Sequence, residues 1–144
     1  MMHILSLREI KDIAFKLAQA TMTWDEPIPD FETRFPNILE SCLATPFQTF
    51  DKKHLYKGVT GKVAVLFYLI IKNHPFTNGN KRIGVTTLLV FLSLNGKWIA
   101  VSNQELYNFA VWVASSPPQV MDQTVNAIKR FVEKNLVLYK PKTE

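Results

Sequence analysis

Two apolar runs meet across one short polar junction, and this arrangement constrains the chain more than any other feature. The first runs from Val63 to Ile71 and the second from Ile83 to Leu94. Between them lies "NHPFTNGNKRIG", residues 73–84, which sets His74, Asn78, Asn80, Lys81 and Arg82 among two bending residues, Pro75 and Gly79. Periodicity leaves Val63–Ile71 ambiguous, because its β-branched residues also suit a buried strand. Upstream Leu55, Tyr56 and Val59 keep a helical phase, which favours a helix from about Thr60 to Lys72. Pro75 restricts His74 to extended geometry and so stops that helix. The next helix is expected from near Asn78 to Asn95, with Gly96 as its stop. It is apolar nearly all round, the mark of a central, buried helix.

The flanking segments extend the helical reading. Ser6-Leu7-Arg8-Glu9 reads as a capping box, followed by an apolar stripe of Ile10, Ile13, Ala14 and Leu17 that fades near Thr21. "TWDEPIPDFETRF", with two prolines and four acids, reads as a loop. Pro36 begins a helix whose buried face is Ile38, Leu39, Cys42 and Leu43, and Pro46 ends it. "PFQTFDKKHLY" is irregular or a short hairpin. Ser102-Asn103-Gln104-Glu105 is a second capping box, leading into Leu106, Phe109, Ala110 and Val113. Pro117 and Pro118 open a last helix with Val120, Val125, Ile128, Phe131 and Val132 inward, and the tail from Lys140 is expected to fray. The reading is all-α: a single domain over residues 1–144, with about six helices around a central apolar one.

Composition narrows the setting. The 144 residues are 47% hydrophobic, enough for a core without staples. One cysteine, Cys42, excludes a disulfide framework and fits a reducing cytoplasm. No signal-peptide pattern opens the chain, and the apolar runs fall short of the roughly 20 residues a membrane helix needs. A soluble, cytoplasmic protein without a membrane partner is therefore expected. The formal charge is +5, but the basic residues are scattered and carry no nucleic-acid motif. Cys42, on an apolar face, reads as core; His3 and His54 read as ordinary surface residues; Phe109, Trp98 and Trp112 read as core or groove wall.

The junction has the parts of an anion site. A helix N-terminus offers unpaired N–H groups and a partial positive charge. Gly79 lets the backbone approach a ligand, Lys81 adds a point charge and Arg82 a forked donor suited to phosphate. Lys72 lies close enough in sequence to join them. The cations near His74 disfavour a second positive charge on its imidazole, and a neutral imidazole is what a general base needs. Asn78 has an amide oxygen to offer Mg²⁺, although carboxylates do this better. The plainer alternative is a helix-end histidine, an Asn-Gly turn and a solvated Lys-Arg pair. The G-x-x-x-x-G-K-[ST] phosphate loop is absent.

"HPFTNGNKR" resembles the signature of the Fic/Doc family, H-P-F-x-[DE]-[GA]-N-[GK]-R. "LESCLATPFQTF", "LFYLIIKNHPF" and "LLVFLSLNG" are similar to the death-on-curing branch, over roughly residues 34 to 115. The resemblance implies a small helical bundle that uses ATP and Mg²⁺. It makes His74 the general base and Phe76 a structural anchor. Gly79, Asn80, Lys81 and Arg82 become the phosphate holders, and Asn78 falls at the metal-ligand position. The segment Thr45 to Leu55, with Thr45, Pro46, Phe47, Gln48, Thr49 and Phe50, becomes the flap that aligns a target peptide, by strand addition.

Lys81 stands where nucleotidyl-transferring members carry Gly, and Val85 where they carry a second arginine. Both departures imply a Doc-like toxin that transfers the γ-phosphate, with a threonine of elongation factor Tu as the target. AMP transfer to a protein hydroxyl is the alternative. Asn78 replaces the usual acid and binds the ion more weakly, which leaves a catalytically silent nucleotide- or antitoxin-binding module as a third reading. The inhibitory pattern [ST]-x-x-x-E-[GN] is absent, so a separate antitoxin whose disordered tail folds on the toxin is implied.

Overall fold

A computed structural model describes residues 2–23 and 25–138, and the expected frayed tail lies outside them. The first helix, α1, spans residues 7–21 in three pieces: α-helical Leu7–Glu9, π-helical Ile10–Phe15 and α-helical Lys16–Thr21. Five more follow among the described residues: α2 Pro36–Ala44, α3 Gly58–Asn73, α4 Asn80–Leu94, α5 Asn103–Ser115 and α6 Met121–Asn135. Two small antiparallel ribbons complete the fold. Strand β1 (Thr49–Phe50) pairs with β2 (Lys53–His54), and β3 (Lys97–Ile99) pairs with β4 (Leu136–Leu138). The architecture is all-α, as the sequence predicts.

The core is the α3–α4 pair. Residues Gly61–Ile71 of α3 and Ile83–Leu92 of α4 are buried without a break. A helix survives such burial because its backbone groups bond within the helix, leaving only side chains to desolvate. Close approach of the two is set by Gly84, where a Cβ would stand 3.1 Å from Ile71 Cγ1. The remaining helices wrap this pair, with α6 against α3 and α5 against α4. No helix among the described residues is long and apolar enough to cross a membrane.

Both capping serines act at helix starts. Ser6 Oγ accepts from Glu9 N–H at 3.1 Å, and Glu9 Oε1 returns the bond from Ser6 N–H at 2.9 Å. Ser102 caps Glu105 N–H at 3.1 Å, while Glu105 takes the Ser102 hydroxyl rather than its N–H.

Four expectations are corrected. In α1, Ile10, Ala14, Phe15 and Ala18 are buried, but Ile13 and Leu17 stand 43% and 37% exposed. The π-helical turn adds residues to the ring and rotates the later side chains away from an ideal 3.6-residue stripe. In α2, Leu39 and Cys42 are buried, whereas Leu43 is half-buried and Ile38 exposed. At the end of α3, His74 is not extended but left-handed, with φ 52° and ψ 60°. Finally, β3 and β4 were not legible as strands: each is three residues long, and only α6 returning beside the end of α4 brings Trp98 opposite Val137.

Cys42 is buried as core, and burial pushes its thiol from 9.0 up to about 12. A thiol-specific reagent at pH 8 is therefore expected to label the folded protein slowly and the urea-unfolded protein fast. The sign for stability follows: above about pH 9 the unfolded chain releases this proton while the folded chain keeps it, so stability falls as pH rises toward 12. Urea midpoints measured between pH 8 and 10 check the direction.

Candidate active site

The junction between α3 and α4 is a short loop pinned from four sides. Phe76 is buried, its ring 5.5 Å from that of Phe15 and 5.9 Å from that of Phe31. Phe35 N–H donates to the Pro75 carbonyl at 2.8 Å. Asn80 Oδ1 accepts from Phe76 N–H at 3.0 Å, and Asn80 Nδ2 donates to the Phe76 carbonyl at 2.9 Å. Gly79, at φ 80°, lies under Ile28, where a Cβ would come within 2.7 Å of Cγ1. Its role is to permit a left-handed turn beneath an apolar side chain.

These constraints aim His74 outward. Its left-handed backbone is uncommon outside glycine, although His, like Asn and Asp, is among the residues enriched there. Its ring is exposed, and Nδ1 faces Asn80 Nδ2 at 3.4 Å. The two bonds to Phe76 fix which end of the Asn80 amide is the nitrogen, and an amide nitrogen only donates. At 3.4 Å this contact is longer than an ordinary hydrogen bond; it orients the ring without fixing its tautomer.

His74, Asn78, Gly79, Asn80, Lys81 and Arg82 open on one cavity of about 160 Å³, closed on the far side by Tyr107 and Ala114. Arg82 is 2% exposed. One guanidinium nitrogen, Nη1, donates to the Met22 carbonyl at 3.2 Å; the other, Nη2, is buried without a partner. A buried cation with an unsatisfied donor is costly unless an anion completes it. This is the feature that fits a phosphate. Val85, at the position of a second arginine, is fully buried. A larger hollow, about 400 Å³, lies apart, between Tyr56, Lys57 and α6.

Three expected contributors sit differently. Lys72 Nζ donates to the carbonyls of Ala114 and Ser116, at 3.2 and 2.5 Å, and so caps the end of α5 instead of lining the cavity. Gly79 N–H donates to Asn78 Oδ1 at 2.7 Å, which takes that backbone donor away from a phosphate. The same bond takes one of the two lone pairs on the amide oxygen that Asn78 would offer a metal. Asn78 Nδ2 points to Glu26 Oε2 at 3.4 Å, an arrangement only one orientation of the amide satisfies. The flap residues form the approach to β1 and its hairpin: Pro46 is buried, Thr45 and Phe47 are half-buried, and Gln48, Thr49 and Phe50 are exposed. Sequence reasoning also missed Asp25, which lines the cavity, and Glu26, 52 residues from its partner Asn78; no spacing rule links them to the junction.

The family profile described as "Fic/DOC family" matches residues 4–92, more than half of the chain. The chain belongs to the Fic/DOC family. Members of the family are typically transferases that act on protein hydroxyls, with nucleotide substrates, usually ATP with Mg²⁺. A search of curated proteins gave no match, and neither did one of solved structures.

The backbone at the two left-handed positions yields opposite expectations. Gly79→Ala meets both Ile28 and an unfavourable φ, and is expected to cost about 1–3 kcal/mol. His74→Gly relieves a left-handed side-chain residue and is expected to raise stability by about 0.5–1 kcal/mol. Urea titrations of both variants measure the pair.

Proposed function

We propose that this Fic/DOC protein is a Doc-like toxin that moves the γ-phosphate of ATP to a protein hydroxyl. The observation that carries the reading is buried Arg82, which has a partnerless Nη2 and lines the cavity onto which His74 opens. That cavity is smaller than the roughly 300–1,000 Å³ of a whole-ligand pocket, so it suits the phosphates and leaves the nucleoside outside.

The chain's own residues divide the work. Arg82 and Lys81 take the charge of the phosphates, the first as a fixed fork and the second as a mobile point charge. Asn80 holds the loop and orients the imidazole. The target hydroxyl donates its proton to the His74 imidazole as its oxygen bonds to the γ-phosphorus. The bond from that phosphorus to the bridging oxygen breaks, and ADP leaves. Mg²⁺ bound with the nucleotide would supply charge neutralisation at the phosphate oxygens. Lys81 in the cavity and apolar Val85 in place of a second arginine favour γ-transfer over AMP transfer.

The target is read as a protein segment. Asp51 and Lys52, both at positive φ, form the tight turn of the β1–β2 hairpin, and Phe50 stands 74% exposed beside it. A two-strand ribbon has unpaired edges open to strand addition by a target peptide. By resemblance the acceptor is a threonine of elongation factor Tu, and a separate antitoxin restrains the toxin by folding a tail onto it. A silent nucleotide-binding module is the second reading, favoured by the engagement of Asn78 Oδ1 with Gly79.

ATP labelled at the γ- or the α-phosphate, incubated with the protein and a bacterial lysate, tests these readings. Label from γ alone is expected, and His74→Ala is expected to reduce it by at least about a hundredfold, the scale of a lost general base. Label from α identifies AMP transfer instead. No label with bound nucleotide identifies the silent module.

A further inference from the structure

The position that carries the motif acid holds Asn78, a neutral amide whose oxygen already accepts from Gly79 N–H at 2.7 Å. Among the described residues no group of three or more His, Cys, Asp or Glu is placed to hold a metal ion. A cation must then arrive with phosphates and need only one or two protein ligands, which is how Mg²⁺ is commonly held beside a nucleotide.

Two carboxylates stand at this place from a different part of the chain. Asp25 lines the cavity that contains His74, Asn78 and Arg82. Its Oδ1 accepts from Glu26 N–H at 2.8 Å, which fixes the loop and leaves Oδ2 for a ligand. Glu26 Oε2 meets Asn78 Nδ2 at 3.4 Å. Acids alone make no site. The independent sign of a ligand is Arg82, which lines the same cavity as Asp25, is 2% exposed and has Nη2 unpartnered; an anion there would complete it. Asp25 and Arg82 also share a second hollow of about 290 Å³, lined by Met22, Pro27 and Ile28. A phosphate bridged by a divalent cation satisfies both charges at once; a bare phosphate would be repelled by Asp25.

We propose that Asp25, in the loop after α1, is the protein ligand of the divalent cation that accompanies the phosphates, in place of the motif acid. Glu26 adds negative charge beside it and turns the Asn78 amide so that its oxygen faces Gly79. The inference rests on the phosphate site proposed above.

The probe is Mn²⁺ with the β,γ-imido analogue of ATP, read by water-proton relaxation on the full chain. Metal-free binding of the same analogue, in EDTA, is read by calorimetry. Asp25→Asn keeps an oxygen for Glu26 N–H and removes only the charge. It is expected to weaken Mn²⁺ in the ternary complex about tenfold or more, while metal-free binding of the analogue is unchanged or tighter. Asn78→Asp in the Asp25→Asn background is expected to recover Mn²⁺ affinity by returning a carboxylate to the motif. Unchanged Mn²⁺ affinity in Asp25→Asn overturns the proposal, as does an equal loss of analogue binding with and without metal. If the unaltered chain binds the analogue under neither condition, the phosphate site itself falls, and this proposal with it.

Discussion

The paired hydrogen bonds between the Asn80 side chain and the backbone of Phe76 are the constraint on which the site depends. They close a short ring across the junction of two buried helices. Without them, Phe76 N–H and C=O would be left unpaired beside an apolar ring cluster, an expensive arrangement in the interior. With them, Phe76 can bury its ring against Phe15 and Phe31 while its neighbours turn outward. The same amide also faces the His74 ring, at 3.4 Å from Nδ1. One side chain therefore joins core packing to the chemistry at the surface.

Rigidity on the core side accompanies strain on the solvent side. His74 sits left-handed, where a histidine is held only because the flanking structure dictates it. Arg82 is buried with one donor unpaired. Gly79 is compressed beneath Ile28 to the point that no side chain fits. His74 and Arg82 are thus two costly local features within nine residues, and Thr87 Oγ1 and Arg34 Nε are buried without partners elsewhere.

The elements differ in how far they were legible. Ser6 and Ser102 start helices by local bonding, so a four-residue pattern identified both. The apolar density of residues 63–71 and 83–94 identified the central pair. Ile13 and Leu17 misled because a π-helical turn changes the angular spacing of side chains, and nothing local marks it. His74 misled because the preference of a residue before proline is weaker than the tertiary bonds to its neighbours, including Phe35 N–H on the Pro75 carbonyl. Lys72 misled because proximity in sequence does not say which way a long side chain turns.

By itself the sequence determined the all-α class, the two buried helices and the motif that joins them, because apolar periodicity and capping act over a few residues. It also determined which residue types stand at the junction. Tertiary structure alone decided what they face. It buried Arg82 and left one of its nitrogens without a partner, turned the Asn78 oxygen onto Gly79, and brought Asp25 and Glu26 to the same wall. Those outcomes depend on contacts between segments more than fifty residues apart, and side-chain direction across such a gap is set by packing, which no local pattern encodes.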